Sequence, residues 1–248
     1  NRSISDIYCA ALPADRQGEV PHRYVLGLYE FLDRLGKRYP DMLIEGCSGG
    51  GGRFDAGMLH YTSQIWCSDD TDTIERLKIQ YGTSFAYPVS AVGSHVSACP
   101  NHQTGRFVPF ETRAAVAMAG TFGYELDPAK LSEEEKTQIR GQIEEFKKYY
   151  DVIHFGDYYR LTNAMEEGPY AAWEFVSEDG NEALISVVAS RVRANDPGVR
   201  IRLRGLKENQ MYLVNGVEYP GGALMHGGIL LEEAKKEYQS WNYHITAK

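Results

Sequence analysis

Gln64-Ile65-Trp66-Cys67-Ser68-Asp69-Asp70-Thr71-Asp72-Thr73 passes from an apolar run into hydroxyls and carboxylates with no turn between them. Residues 64–67 have the length and composition of a buried strand. From 73 to about 81 the spacing becomes helical. This is the pattern of a βα unit, and in βα folds ligands collect at the C-terminal ends of the strands. Just upstream the pattern repeats. Met42-Leu43-Ile44 reads as a short strand running into Cys47 and the glycine run Ser48-Gly49-Gly50-Gly51-Gly52-Arg53. Two neighbouring strands thus deliver functional side chains and bare backbone to one rim.

Further upstream, residues 21–39 place Tyr24, Val25, Leu28, Phe31, Leu32 and Leu35 at helical spacing between Pro21 and Pro40, which predicts an amphipathic helix. Downstream, Ser84-Phe85-Ala86-Tyr87 and Ala115-Val116-Ala117-Met118-Ala119 are the next strand-like segments. Residues 132–150 read as a charged helix with Ser132 and Glu135 at capping-box spacing. From residue 158 the grammar changes. Residues 183–188, 199–203 and 211–214 read as antiparallel strands, with Asn195-Asp196-Pro197-Gly198 and Asn215-Gly216 as turns. We therefore expect an α/β region, residues 1–157, with about four βα strands, and an all-β region, residues 158–248. Four βα units suit a small open sheet or half of an eight-stranded barrel. A whole barrel takes about 250 residues, so a half would continue upstream of residue 1.

The 248 residues carry 26 Lys and Arg against 34 Asp and Glu, a net charge of −8. This balance argues against nucleic-acid binding, which needs clustered cations. No apolar run reaches the roughly 18–20 residues of a membrane span, and no signal peptide opens the chain. Cys9, Cys47, Cys67 and Cys99 are scattered without regular spacing, which points to free thiols in a reducing, cytoplasmic setting.

Asp69, Asp70 and Asp72 repel one another, and one that is partly buried should be hard to ionise. Such a carboxyl serves as a general acid near neutral pH. Asp72 and Thr71 equally suit an N-cap, and Arg76 is spaced to pair with Asp72 on one helix face. The glycine run lacks the G-x-x-x-x-G-K-[ST] pattern of a phosphate loop, so it reads as a close backbone approach to a ligand. Arg53 at its end would hold a carboxylate or fix the loop. His95-x3-Cys99-x2-His102 has metal-like spacing, but no paired short spacing accompanies it, and a loop with polar anchors is the simpler reading. No metal and no other cofactor is expected. Cys47 and Cys67 lack an activating histidine for thiol chemistry.

These same segments carry a resemblance. Glu45-Gly46-Cys47-Ser48-Gly49-Gly50-Gly51-Gly52-Arg53-Phe54-Asp55, the run from Trp66 through Ser84, Gly93-Ser94-His95-Val96-Ser97, Pro100-Asn101-His102-Gln103 and Met118-Ala119-Gly120-Thr121-Phe122-Gly123-Tyr124-Glu125-Leu126 are similar to the bacterial α-galactosidases (melibiases) of glycoside hydrolase family thirty-six. The resemblance is dense over about the first 130 residues. It implies the second half of a (β/α)8 barrel followed by a C-terminal antiparallel β-sandwich domain. It implies retaining hydrolysis of terminal α-galactosyl residues of melibiose- and raffinose-type oligosaccharides, which uses a nucleophilic and an acid/base carboxyl.

In that family's Ser-Asp-x-x-Asp-x-x-x-Arg motif, matched by Ser68, Asp69, Asp72 and Arg76, Asp69 takes the place of the general acid/base. Cys47 and Gly50 take the place of galactose contacts and Trp66 that of a ring at the site's edge. Arg53, Asp72 and Arg76 would support the loop and the helix start. Asn1-Arg2 looks like the tail of the Lys-Trp-Asp-x-Asn-Arg motif, which makes Asn1 a substrate contact and puts the nucleophile two residues before residue 1. The implied partners are α-galactoside oligosaccharides and the rest of a parent polypeptide, a homo-oligomer when full length, with neither nucleic acid nor membrane. Two other readings stay open: a catalytically incomplete carbohydrate-binding or assembly fragment, and an α-N-acetylgalactosaminidase of the same fold.

Overall fold

In a computed structural model of the chain, residues 7–192, 194–195 and 198–248 are described. Contacts divide the chain into two units, residues 1–69 with 91–93 and residues 70–90 with 94–248.

In the first unit, helix α1 (Glu19–Arg38) begins two residues before the periodicity suggests. Pro21 is tolerated there because amides of a first helical turn have no intrahelical acceptor. Leu32 is buried and packs with Leu28 and Tyr29 against Met58, Ile65 and Ile44. Strand β1 is Glu45–Gly46, beyond the apolar triplet expected to form it. Met42 and Leu43 are exposed, Leu43 at 89%, and only Ile44 joins the core. The ladder instead takes Gly46, where a β-carbon would already lie 3.0 Å from Ile65 of the neighbouring strand. Helix α2 (Ala56–Leu59) is capped by Asp55, which accepts from the amide of Met58 at 2.9 Å. Strand β2 (Gln64–Trp66) runs parallel to β1, with Gly46 opposite Ile65. It is also parallel to the start of β3 (Val92–Ser97), with Trp66 opposite Gly93.

In the second unit, β3 continues and has β4 (Thr121–Glu125) as its neighbour. Helices α3 (Thr73–Thr83) and α4 (Phe110–Ala117) belong here. Two expected strands are therefore not strands. Residues 84–87 form the turn that ends α3, and residues 115–117 are the last turn of α4. The strand in their place, Val-Gly-Ser-His-Val-Ser, is buried almost throughout yet shows little apolar signal. Its hydroxyls are satisfied internally: Ser94 donates to Gln80 at 2.9 Å and Ser97 to the Thr71 carbonyl at 2.9 Å. Helix α5 (Glu133–Lys148) carries the expected capping box. The Glu135 amide donates to the Ser132 hydroxyl and the Ser132 amide to the Glu135 carboxylate. Helix α6 (Tyr150–Phe155) follows.

Residues from 157 onward build an antiparallel sheet of β5 (Asp157–Arg160), β6 (Tyr170–Val176), β7 (Glu182–Ala189), β9 (Met211–Val214), β10 (Val217–Pro220) and β12 (Ser240–Ala247). The spatial order is β10-β9-β12-β7-β6-β5. Asn215 and Gly216 both have positive φ, 50° and 80°, the geometry of a tight type I′ hairpin, with Val214 facing Val217. A separate ladder joins β8 (Arg200–Ile201) to β11 (Ile229–Leu230), with α7 (Gly221–His226) between β10 and β11. Around β8 the burial alternates as expected, with Ile201 and Leu203 inside and Arg200, Arg202 and Arg204 outside, but only two residues pair. In the turn expected at 195–198, Asp196 and Pro197 lie outside the described residues.

Every residue of β6 is buried, because the sheet is covered on both faces. Tyr170, Ala172 and Val176 face a core with Ile201, Leu203, Leu224 and Leu231. Ala171, Trp173 and Phe175 face Leu77, Val116, Val152 and Ile153 of the helices.

Candidate active site

At the C-terminal ends of β1 and β2, in the first unit, the glycine run folds back on the residues after β2. Ser48, Gly49, Gly50 and Gly51 all have positive φ, from 64° to 96°. A β-carbon on Gly50 would lie 2.2 Å from the Asp69 amide nitrogen, and one on Gly51 would lie 2.5 Å from the Cys67 carbonyl oxygen. Conformation and proximity both demand glycine at these two positions. The loop brings Cys47 beside Asp69: the thiol faces the Asp69 carboxylate, Sγ to Oδ1 3.9 Å. Asp69 is exposed, whereas Trp66 is buried in its strand, 7% exposed. Arg53 anchors the far end of the loop to α1. It donates to the Tyr24 hydroxyl at 2.7 Å, and its guanidinium lies over the Tyr24 ring. Thus Cys47, Gly50 and Asp69 meet at one rim, and Trp66 is buried at the end of the strand that leads to it. Asn1 lies outside the described residues.

One residue after Asp69 the chain enters the second unit, where Asp70 is half-buried and Thr71, Asp72 and Arg76 are buried. Asp70 accepts from the Asp72 amide at 2.9 Å. Asp72 is fully buried and is the N-cap of α3, accepting from the amides of Ile74 at 2.9 Å and Glu75 at 3.1 Å. Its carboxylate also receives the Thr104 hydroxyl and the Arg106 guanidinium. At Asp72 the expectation that a buried carboxyl resists ionisation does not hold. Burial alone would push Asp72 up, but the Thr104 hydroxyl, the two amides and the Arg106 charge outweigh it and hold the carboxyl below the usual range. A cation on Asp72 that the helical spacing did not point to is Arg106, 34 residues on. Arg76 is buried, with Nε donating to Gln80 at 3.2 Å.

Thr71 is held from the same side. Its amide donates to Gln103 at 2.8 Å, and its hydroxyl receives the Asn101 side-chain amide at 3.0 Å. Asn101, Gln103, Thr104 and Arg106 thus hold Thr71 and Asp72, contacts to which the motif reading gave no part. The signal was present: a buried aspartate must find donors, and residues 101–106 form the polar loop whose His102 drew attention to metal. His95 of the metal-like spacing lies 4.0 Å from Glu125 and against Gly123, on β4. Among the described residues no group of three or more His, Cys, Asp or Glu is arranged to hold a metal ion.

The melibiase family model matches residues 1–156, and that of the glycosyl hydrolase family 36 C-terminal domain matches residues 170–245. The chain belongs to the melibiase family. It is 55% identical to the bifunctional α-galactosidase/sucrose kinase AgaSK of Mediterraneibacter gnavus over 99% of this chain and 26% of that protein. It is 48% identical to the α-galactosidase AgaA of Geobacillus stearothermophilus over 100% of this chain and 34% of that one. A crystal structure of a GH36 α-galactosidase AgaA variant from G. stearothermophilus in complex with raffinose superposes with a TM-score of 0.93, at 47% identity. That alignment covers 98% of this chain and 34% of the other. The chain therefore spans about a quarter to a third of the length of these relatives. The fold is that of the second half of a (β/α)8 barrel followed by the antiparallel C-terminal domain of family 36.

Proposed function

We propose that this chain is the acid/base-bearing part of a retaining α-galactosidase that hydrolyses terminal α-galactosyl residues of melibiose- and raffinose-type oligosaccharides. The observation that supports this best is the rim at the ends of β1 and β2. There, glycine backbone is packed against the Asp69 amide and a thiol lies 3.9 Å from the Asp69 carboxylate, in a chain that matches α-galactosidases along its whole length.

In this reading a nucleophilic carboxylate outside the present sequence attacks the anomeric carbon. The Asp69 carboxyl donates its proton to the departing glycosidic oxygen. The resulting Asp69 carboxylate then takes a proton from water, whose oxygen displaces the nucleophile and releases galactose with its anomeric configuration retained. Asn1, Cys47, Gly50 and Trp66 are proposed to line the galactose site, with Arg53, Asp72 and Arg76 supporting it. The proposal extends to the division into a half-barrel, residues 1–157, and a β domain, residues 158–248. A homo-oligomeric parent enzyme in the cytoplasm belongs to the same reading.

The test is Asp69→Asn in the full-length polypeptide, assayed on melibiose and on p-nitrophenyl α-galactoside. The sugar leaving group needs a proton and the nitrophenolate does not. The expected result is a kcat/KM loss of about 10²–10⁴-fold on melibiose, with a much smaller loss on the aryl substrate. Equal, small losses on both would remove Asp69 from the acid role.

A further inference from the structure

The Asp72 network does not end in the α/β region. Arg106, whose Nη1 sits on Asp72, lies with its guanidinium carbon 5.7 Å from the ring centroid of Tyr238, in the loop before β12. Cation and ring attract, and the ring shields one face of the guanidinium from water. Tyr238 is held firmly to do this. It takes a positive φ of 60°, unusual for a bulky side chain. Its amide donates to the Ala189 carbonyl at 2.9 Å, and its carbonyl receives the buried Thr112 hydroxyl at 2.6 Å. The loop carrying Arg106 is closed on itself as well: the Asn101 amide donates to the Arg106 carbonyl at 2.9 Å and the Gly105 amide to the Asn101 carbonyl at 2.8 Å.

We infer that Tyr238 and Arg106 are positioning residues for the reaction at Asp69: the antiparallel domain holds Arg106 on Asp72, and Asp72 fixes the backbone from which Asp69 leads off. This inference rests on the acid/base role proposed for Asp69. Three peptide units separate Asp69 from Asp72, so their Cα atoms are at most about 11 Å apart and a shift at Asp72 is felt at Asp69. The charged and titratable groups around Asp72 are Arg106, Glu75, whose Oε1 is 3.7 Å from Arg106 Nη2, and Asp70, which accepts the Asp72 amide. Without a well-held Arg106 the buried carboxylate takes up a proton more readily, and the helix cap weakens.

The experiment compares Tyr238→Leu, Tyr238→Phe, Arg106→Gln and Asp69→Asn in the full-length polypeptide. It records kcat, KM, the pH profile of kcat and the melting temperature with melibiose. Tyr238→Leu is expected to lower kcat about 10-fold with KM within about twofold, and Arg106→Gln about 100-fold, the scale of a small misplacement of a catalytic group. In both, the acidic limb of the kcat profile moves to higher pH, and Tyr238→Phe, which keeps the ring, restores both readouts. A Tyr238→Leu variant that melts earlier but keeps its kcat and acidic limb would overturn the inference, even if Arg106→Gln fails to fold. Asp69→Asn separates the two failures. If it abolishes melibiose turnover while Tyr238→Leu behaves normally, only the positioning role falls. If it retains turnover, the acid/base reading falls first.

Discussion

The β-carbon that Gly50 lacks would overlap the amide nitrogen of Asp69, at 2.2 Å. The glycine run is thus the mould against which the strand end carrying Asp69 is set. Backbone at both ends of this contact leaves neither side a rotamer by which to yield. Gly50→Ala is expected to cost well over about 1 kcal/mol, since an L residue is strained at φ +66° and must also displace Asp69. Chemical denaturation would show the stability loss. Activity should fall at least about 10-fold, in kcat through the displaced acid and in KM through the galactose site that Gly50 is proposed to line.

Gln80 is a hub of the second unit. Its side-chain amide donates to the carbonyls of Val116 and Ala119 at 3.1 and 3.0 Å, and its carbonyl receives Arg76 and Ser94. Gln80→Leu keeps the volume and strands those buried partners. The expected destabilisation is about 3 kcal/mol, read from the urea midpoint. A loss below about 1 kcal/mol would mean that the partners find other bonds.

Glu174 sits on β6 with no exposed surface, and its Oε1 has no hydrogen-bond partner among the described residues. Burial pushes its carboxyl up to about 8, against the Arg204 amide and charge, which pull it down. The folded state therefore holds a proton that the unfolded chain releases near its ordinary value of 4.5. The stability contributed by this proton is fully present below that value and is lost as pH rises through about 8. The wild type should melt progressively lower between pH 6 and pH 9. Glu174→Gln, uncharged at every pH, should flatten that slope, and a slope unchanged in the variant would show that another group titrates.

The capping box at α5 gives a control away from the rim. Ser132→Ala should cost about 1 kcal/mol and leave kcat and KM untouched, as measured by denaturation and by the melibiose assay.

What could be read from the residues alone follows the strength of local signals. α5 announced itself through Ser132 and Glu135, and the β9–β10 hairpin through Asn215-Gly216, because caps and tight turns require particular side chains at fixed offsets. β2 and α3 were legible for a similar reason, as an apolar run ending in an N-cap aspartate. β1 and β3 were not. β1 is two residues long and selects a glycine for proximity, and β3 buries serines that are paid for by Gln80 and the Thr71 carbonyl, partners distant in sequence. At the candidate site the residues of the local motifs converge as spaced, Cys47 and Gly50 on Asp69. Arg106 and Thr104 were invisible to spacing, since the helix-period argument for Asp72 points to Arg76 and no local rule reaches 34 residues ahead.

The wide separation along the chain of the residues that meet at Asp72 also bears on biosynthesis. Asp72 is made 34 residues before Arg106. At about 5–20 residues per second, several seconds of translation pass before its counter-ion exists. Tyr238 arrives later still, just before the strand Ser240–Ala247. Until then the aspartate must stay hydrated, because a lone carboxylate cannot enter a dry interior. The helix start behind Asp69 therefore locks only after residue 238 has been made, and a nascent chain stalled before it would carry the whole local motif without the tyrosine that holds its arginine.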